Sequence, residues 1–208
     1  EPGTKWHYSA GLDVLGRVIE VVTGKDFGDY LIEDFIRPIG MDSTYFHVPK
    51  AEAKRFSDNY MLLNGFPMPI DLGSDSVWFD KPKVPYGGGG LVSSARDYDR
   101  FLAMLLNDGV ANGRQILHPD MVALGTSNLL PEGVDTKGSM IDGSHFGAGG
   151  RVGTGLLTGS YGWGGAAGTL ASIMKVQKVR ATLMTQYMPA EAYPLLKDFA
   201  GALMADLR

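Results

Sequence analysis

The chain has 208 residues, 44% hydrophobic and 20% charged, a composition that supports a buried core and excludes a disordered polymer. Its formal net charge of −4 argues against nucleic acid as a partner, and no apolar run reaches the length of a membrane span. The absence of cysteine excludes disulfides, thiolate metal ligands and a cysteine nucleophile, but identifies no compartment.

Leu12, Leu15, Val18, Ile19 and Val22 recur at helical spacing and Gly24 follows as a stop, which predicts a helix over about 10–23. Phe27, Tyr30, Leu31 and Phe35 predict a second helix over about 27–36, ending before Pro38 and Gly40. Residues 41–86 hold five prolines and little periodicity, and read as a long irregular loop of the kind that often forms a binding lid. Ser94-Ala95-Arg96-Asp97 fits a capping box with Asp in place of Glu, opening a helix that runs through Phe101, Leu102, Leu105 and Leu106 to Gly109. Pro119 suits the first position of a short helix to about Leu124. Ala166–Val176 and Val179–Tyr187 are β-rich runs around Gln177-Lys178, a plausible antiparallel hairpin, and a last amphipathic helix covers about 191–207. Much of the glycine lies in Gly87–Gly90 and Gly147–Gly168, where tight turns or close backbone approach are expected.

Two stretches stand out for their chemistry. Pro2-Gly3-Thr4-Lys5-Trp6-His7-Tyr8-Ser9-Ala10 places a tyrosine at the mouth of the first helix. Tyr161-Gly162-Trp163-Gly164-Gly165-Ala166 places an indole among closely spaced glycines. Taken alone, Tyr8 reads more readily as packing than as chemistry, and the second stretch as a β-turn with a buried Trp.

Together the two stretches resemble the second and third motifs of the serine β-lactamase and penicillin-binding-protein superfamily, in its class C β-lactamase-like esterase branch. Leu15-Gly16, Ile19-Glu20 and Thr23-Gly24 extend the first match. Gly88-Gly89-Gly90-Leu91-Val92-Ser93-Ser94-Ala95-Arg96-Asp97 resembles a structural helix start of the same family. The likeness covers about 1–45, 85–125 and 145–190. It implies that Tyr8 acts as general base and then general acid. It also implies that the backbone N–H of Ala166 is an oxyanion donor, and that Trp163, Gly164 and Gly165 line the substrate site. Where lactamases keep a Lys and a hydroxyl residue, this chain has Trp163 and Gly164, and two residues after Tyr8 it has Ala10 in place of Asn. The changes remove a cation and polar partners, which favours a small ester, neutral around the scissile bond, over a lactam.

The family's nucleophile lies in a Ser-x-x-Lys upstream of the tyrosine, and seven residues precede Tyr8 here. The resemblance therefore implies the C-terminal portion of a serine carboxylesterase, completed by an N-terminal segment that is either a second chain or missing sequence. The opening Glu1-Pro2, without Met, fits lost sequence, so localisation stays open. The implied fold class is α+β (α/β three-layer), β-lactamase/transpeptidase-like, with an antiparallel sheet flanked by helices plus a helical lobe. Residues 1–85 are expected in the helical lobe with its substrate-side loop, and 86–208 in the sheet domain. No metal or organic cofactor is implied. β-Lactamase, D-amino-acid peptidase and acyltransferase remain alternatives, as does a non-catalytic binding protein that keeps the fold.

Four look-alikes are discounted. Ser172-Ile173-Met174-Lys175 spells Ser-x-x-Lys in an expected strand, where the two side chains point to opposite faces. Ser57-Asp58-Asn59 reads as a turn, and His145-Phe146-Gly147 fits the third motif less well than the Trp163 strand. The four histidines show no metal-ligand spacing.

Overall fold

The computed structural model describes residue 1 and residues 3–206. Pro2 of the tyrosine motif and Leu207 of the last expected helix lie outside the described residues.

Helix α1 (Gly11–Thr23) starts where the Ala10 carbonyl accepts from Asp13 and Val14, and stops at Gly24, whose φ of +70° places it in the left-handed region. Helix α2 (Phe27–Tyr30) is capped by the Asp26 carboxylate. It passes through a π-helical turn, Leu31–Ile36, into a last short turn, α3 (Arg37–Ile39). The helix thus runs past the stop expected before Pro38. In the π-turn Arg37 N–H donates to Ile32 O, and the widened register lets a proline without an N–H enter the next turn.

The stretch expected to be irregular contains a β-hairpin, β1 (Asn59–Leu63) and β2 (Phe66–Asp71), joined by Asn64-Gly65 with φ of 52° and 83°. Pro67 and Pro69 are tolerated because β2 is an edge strand, paired with β1 alone among the described strands. Helix α4 (Ala95–Leu106) is capped as expected, Ser94 Oγ accepting from Asp97 N–H at 3.2 Å. The Asp97 carboxylate, almost fully buried, instead accepts from Ser43 N–H (2.6 Å) and Thr44 Oγ1 (3.0 Å), tying α4 to the chain after α3. A small hairpin, β3 (Val110–Ala111) and β4 (Arg114–Gln115), leads to α5 (Pro119–Gly125), capped by the His118 ring.

Five antiparallel strands follow in spatial order: β5 (His145–Phe146), β6 (Arg151–Val152), β7 (Ser160–Gly165), β8 (Thr169–Met174) and β9 (Val179–Leu183). The first expected β-run loses its start to the Ala166–Gly168 turn. The second is split, because Tyr187–Met188 forms β10 and pairs in parallel with β1 in a separate sheet. Helix α6 (Leu195–Asp206) closes the described chain. The main core joins Ile36, Ile39 and Met41 to Leu102, Met104, Leu105, Val122 and Ile173, so residues before and after 85 share one hydrophobic cluster. β9 pairs with β8 alone among the described strands, and its other edge carries no strand.

Candidate active site

Strand alternation puts Tyr161, Trp163 and Gly165 on one face of β7, and Gly162 and Gly164 on the other. Tyr161 anchors the strand. Its ring packs on the core, and its hydroxyl donates to Ala148 O at 2.6 Å. Burial pushes its phenol up to about 12. A Cβ on Gly150 would lie 2.6 Å from the Tyr161 ring, which is why that loop needs glycine there. One residue further along the same face, Trp163 leaves the core and meets a cluster of aromatic rings.

Tyr8 stacks on Trp163, with ring centroids 6.2 Å apart and planes 6° from parallel. Phe146 meets the indole edge-on at 5.6 Å, Trp6 lies 6.5 Å away, and Trp6 and Phe146 touch each other at 5.3 Å. Arg151 holds its guanidinium 5.9 Å from the Trp163 ring centre and donates to Met140 O. Each aromatic pair of this kind is worth about 0.5–1.5 kcal/mol beyond the area it buries. The Tyr8 segment is also anchored by backbone: Trp6 N–H donates to Asp135 O (3.0 Å) and Asp135 N–H to Thr4 O (2.9 Å). Tyr8 itself stays 64% exposed.

After Gly165 the chain turns through Ala166, Ala167 and Gly168, the last with φ of +74°. Ala167 O accepts from Thr185 Oγ1 (2.8 Å) and Tyr187 N–H (3.3 Å), so the turn is held from the side of β10. Ala166 N–H makes no hydrogen bond among the described residues. Gly164 is open, the nearest atom to an added Cβ being 3.5 Å away, whereas a Cβ on Gly165 would force the Thr169 hydroxyl to turn aside.

A profile of the Beta-lactamase family matches residues 1–204.

The chain belongs to the Beta-lactamase family. It is 30% identical over 213 residues to penicillin-binding protein 4 of Amycolatopsis lactamdurans, a match that covers 96% of this chain and 53% of that protein. It is 32% identical over 124 residues to esterase EstB of Burkholderia gladioli, covering 52% of this chain and 31% of the esterase. Among solved structures, a mutant of simvastatin synthase from Aspergillus terreus superposes with a TM-score of 0.84 at 24% identity, covering all of this chain and 57% of the synthase. That last likeness establishes a β-lactamase/transpeptidase-like fold of mixed helices and antiparallel sheet. The chain spans about half the length of the relatives it matches from end to end.

Within this family fold, Tyr8 and Trp163 are in contact, and Gly164, Gly165 and Ala166 follow Trp163 along the chain. Sequence reasoning missed Phe146, Arg151 and the Asp135 bridge. Phe146 lies in the His145-Phe146-Gly147 stretch set aside as a third-motif variant, and it packs against the Trp163 chosen instead. Asp135 lies in a stretch without periodicity, so no sequence signal pointed to it. Of the look-alikes, Ser172 sits in β8 while Lys175 falls in the following turn and donates to Thr126. Asp58 is occupied by Gly73 N–H at 2.7 Å and the Tyr60 hydroxyl at 3.1 Å. No group of three or more His, Asp or Glu side chains is arranged to hold a metal among the described residues.

Proposed function

We propose that residues 1–208 are the C-terminal portion of a serine carboxylesterase that works through an acyl-enzyme. The observation that carries this reading is the Tyr8 ring stacked on Trp163, three residues before the unoccupied N–H of Ala166. The kinship with an esterase supports it.

Tyr8 would take the proton from the nucleophile's hydroxyl and later return one to the leaving alcohol. A phenol titrates near 10, so it can act at neutral pH when a neighbouring ammonium stabilises the phenolate. The Ser-x-x-Lys of the N-terminal segment would supply both the nucleophile and that ammonium. Ala166 N–H would hold the oxyanion beside the nucleophile's own N–H, a contribution typically worth on the order of a hundredfold or more in rate. Trp163 and the open Gly164 would form a flat apolar wall for a small neutral ester, with an indole in place of the strand lysine that would draw a lactam carboxylate. The 41–86 segment, with the β1–β2 hairpin, would shape the remainder of the pocket. Residues 1–85 would belong to the helical lobe and 86–208 to the sheet domain. No metal or organic cofactor takes part in these steps.

The test joins residues 1–208 to the N-terminal segment and assays a short-chain nitrophenyl ester beside a chromogenic cephalosporin. Ester turnover with little cephalosporin turnover is expected. The reverse preference would make the enzyme a lactamase, and turnover of neither would refute the esterase.

A further inference from the structure

Helix α1 faces the wrong way for a helix of a finished domain. Its contacts with the body include Asp13, which accepts from Gly88 N–H at 2.9 Å, Gly16 against the Phe27 ring, and Glu20, which accepts from Phe27 N–H at 3.2 Å. These residues lie at i, i+3 and i+7, along one side. The opposite side carries Val14, Leu15, Val18, Val21 and Val22, which are 63, 49, 49, 70 and 79% exposed. An amphipathic surface helix turns its apolar stripe inward. Here the stripe is turned to solvent, and contiguous apolar surface of this kind marks an interaction site.

We infer that the outward face of α1 is the docking surface for the polypeptide segment that carries the nucleophile. This rests on the reading of the chain as half of a serine hydrolase. Three observations choose that occupant. Tyr8 stands three residues before α1, so it lies within about 10 Å of chain from the helix start. An element that sets a hydroxyl and an ammonium beside Tyr8 therefore comes near the first turn of α1, where Val14 and Leu15 begin the stripe. The stripe carries no charge of its own. Its flanking Arg17 is already paired with Glu20 at 2.6 Å, which suits an apolar polypeptide better than an anionic one. Finally, relatives matched along nearly the whole chain extend well beyond it: the match takes 53% of one and 57% of another, which leaves a segment of comparable size to occupy the face.

The chain has no cysteine, so single cysteines report the face directly. Val18→Cys and Val21→Cys are compared with Leu156→Cys, a control at a residue 98% exposed. Maleimide labelling is followed on residues 1–208 alone and with the N-terminal segment present, fused or as a second chain. Alone, all three cysteines should react at rates within severalfold of one another. With the segment present, Val18→Cys and Val21→Cys should slow by about tenfold or more while Leu156→Cys is unchanged, because a covered thiol reacts only through opening. Equal rates in both samples would overturn the inference. So would protection of the chain alone that disappears on dilution, which would make a second copy the occupant. Fluorophosphonate labelling of the same samples separates the two ideas. Protection without labelling would uphold the docking face and sink the hydrolase, and labelling without protection would do the opposite.

Discussion

The two halves of the candidate site are built very differently. The Trp163 strand is central in its sheet, paired with β6 on one side and β8 on the other, and its turn is gripped by Thr185 and Tyr187. The Tyr8 segment has no such frame. It rests on ring contacts of Tyr8 and Trp6 with Trp163 and Phe146 and on one backbone bridge to Asp135, and the Tyr8 ring is mostly in water. One half of the site is thus preformed by the chain's own sheet, while the other is positioned but left open toward whatever completes it.

The sharpest way to break this contrast is to compare stability on the two sides. Ile173 lies in β8, is fully buried, and belongs to the main core. Ile173→Ala should lower unfolding free energy by about 2–5 kcal/mol, through lost burial and the cavity left behind. Tyr8→Ala should change it by about 1 kcal/mol or less, since an exposed ring gives up little beyond its stack. Denaturant unfolding of both variants checks this, and a Tyr8→Ala loss as large as that of Ile173→Ala would remove the distinction.

A finer test uses Tyr161, the half-buried anchor of the framed half. Tyr161→Phe deletes a hydrogen bond to Ala148 O and should cost about 0.5–1.5 kcal/mol at pH 8. Its phenol is raised from 10 to about 12 by burial, so folding favours the protonated form. That stability is complete below pH 10 and drains away as pH rises through about 12. Between those limits the wild type should therefore lose stability faster than Tyr161→Phe. Parallel curves for the two proteins would show that Tyr161 does not anchor the strand as a neutral phenol.

The contrast also explains what could be read from the sequence. Helix α1 and the Ser94 cap are local features, written in a spacing of 3.6 and in a single capping residue, and they stand where expected, whereas the Trp163 strand was implied by the family resemblance alone. The β1–β2 hairpin was hidden because Pro67 and Pro69 argue against a strand unless it is known to be an edge, a fact about the sheet rather than the segment. Asp97 was legible as a helix-start carboxylate, but its partners Ser43 and Thr44 lie more than fifty residues away. The aromatic cluster joins three separate stretches, those of Tyr8, Phe146 and Trp163, and only the family resemblance suggested that two of them meet. The valine face of α1 was legible as a helix stripe, but spacing does not say which way a stripe points.

The most direct measurement is the rate at which a fluorophosphonate labels the assembled enzyme, wild type against Tyr8→Phe. A proton relay through Tyr8 predicts labelling slower by about 10²–10⁴-fold in the variant, the usual contribution of a positioned general base. Labelling of Tyr8→Phe at the wild-type rate would contradict the account, leaving the stack on Trp163 as packing and nothing more.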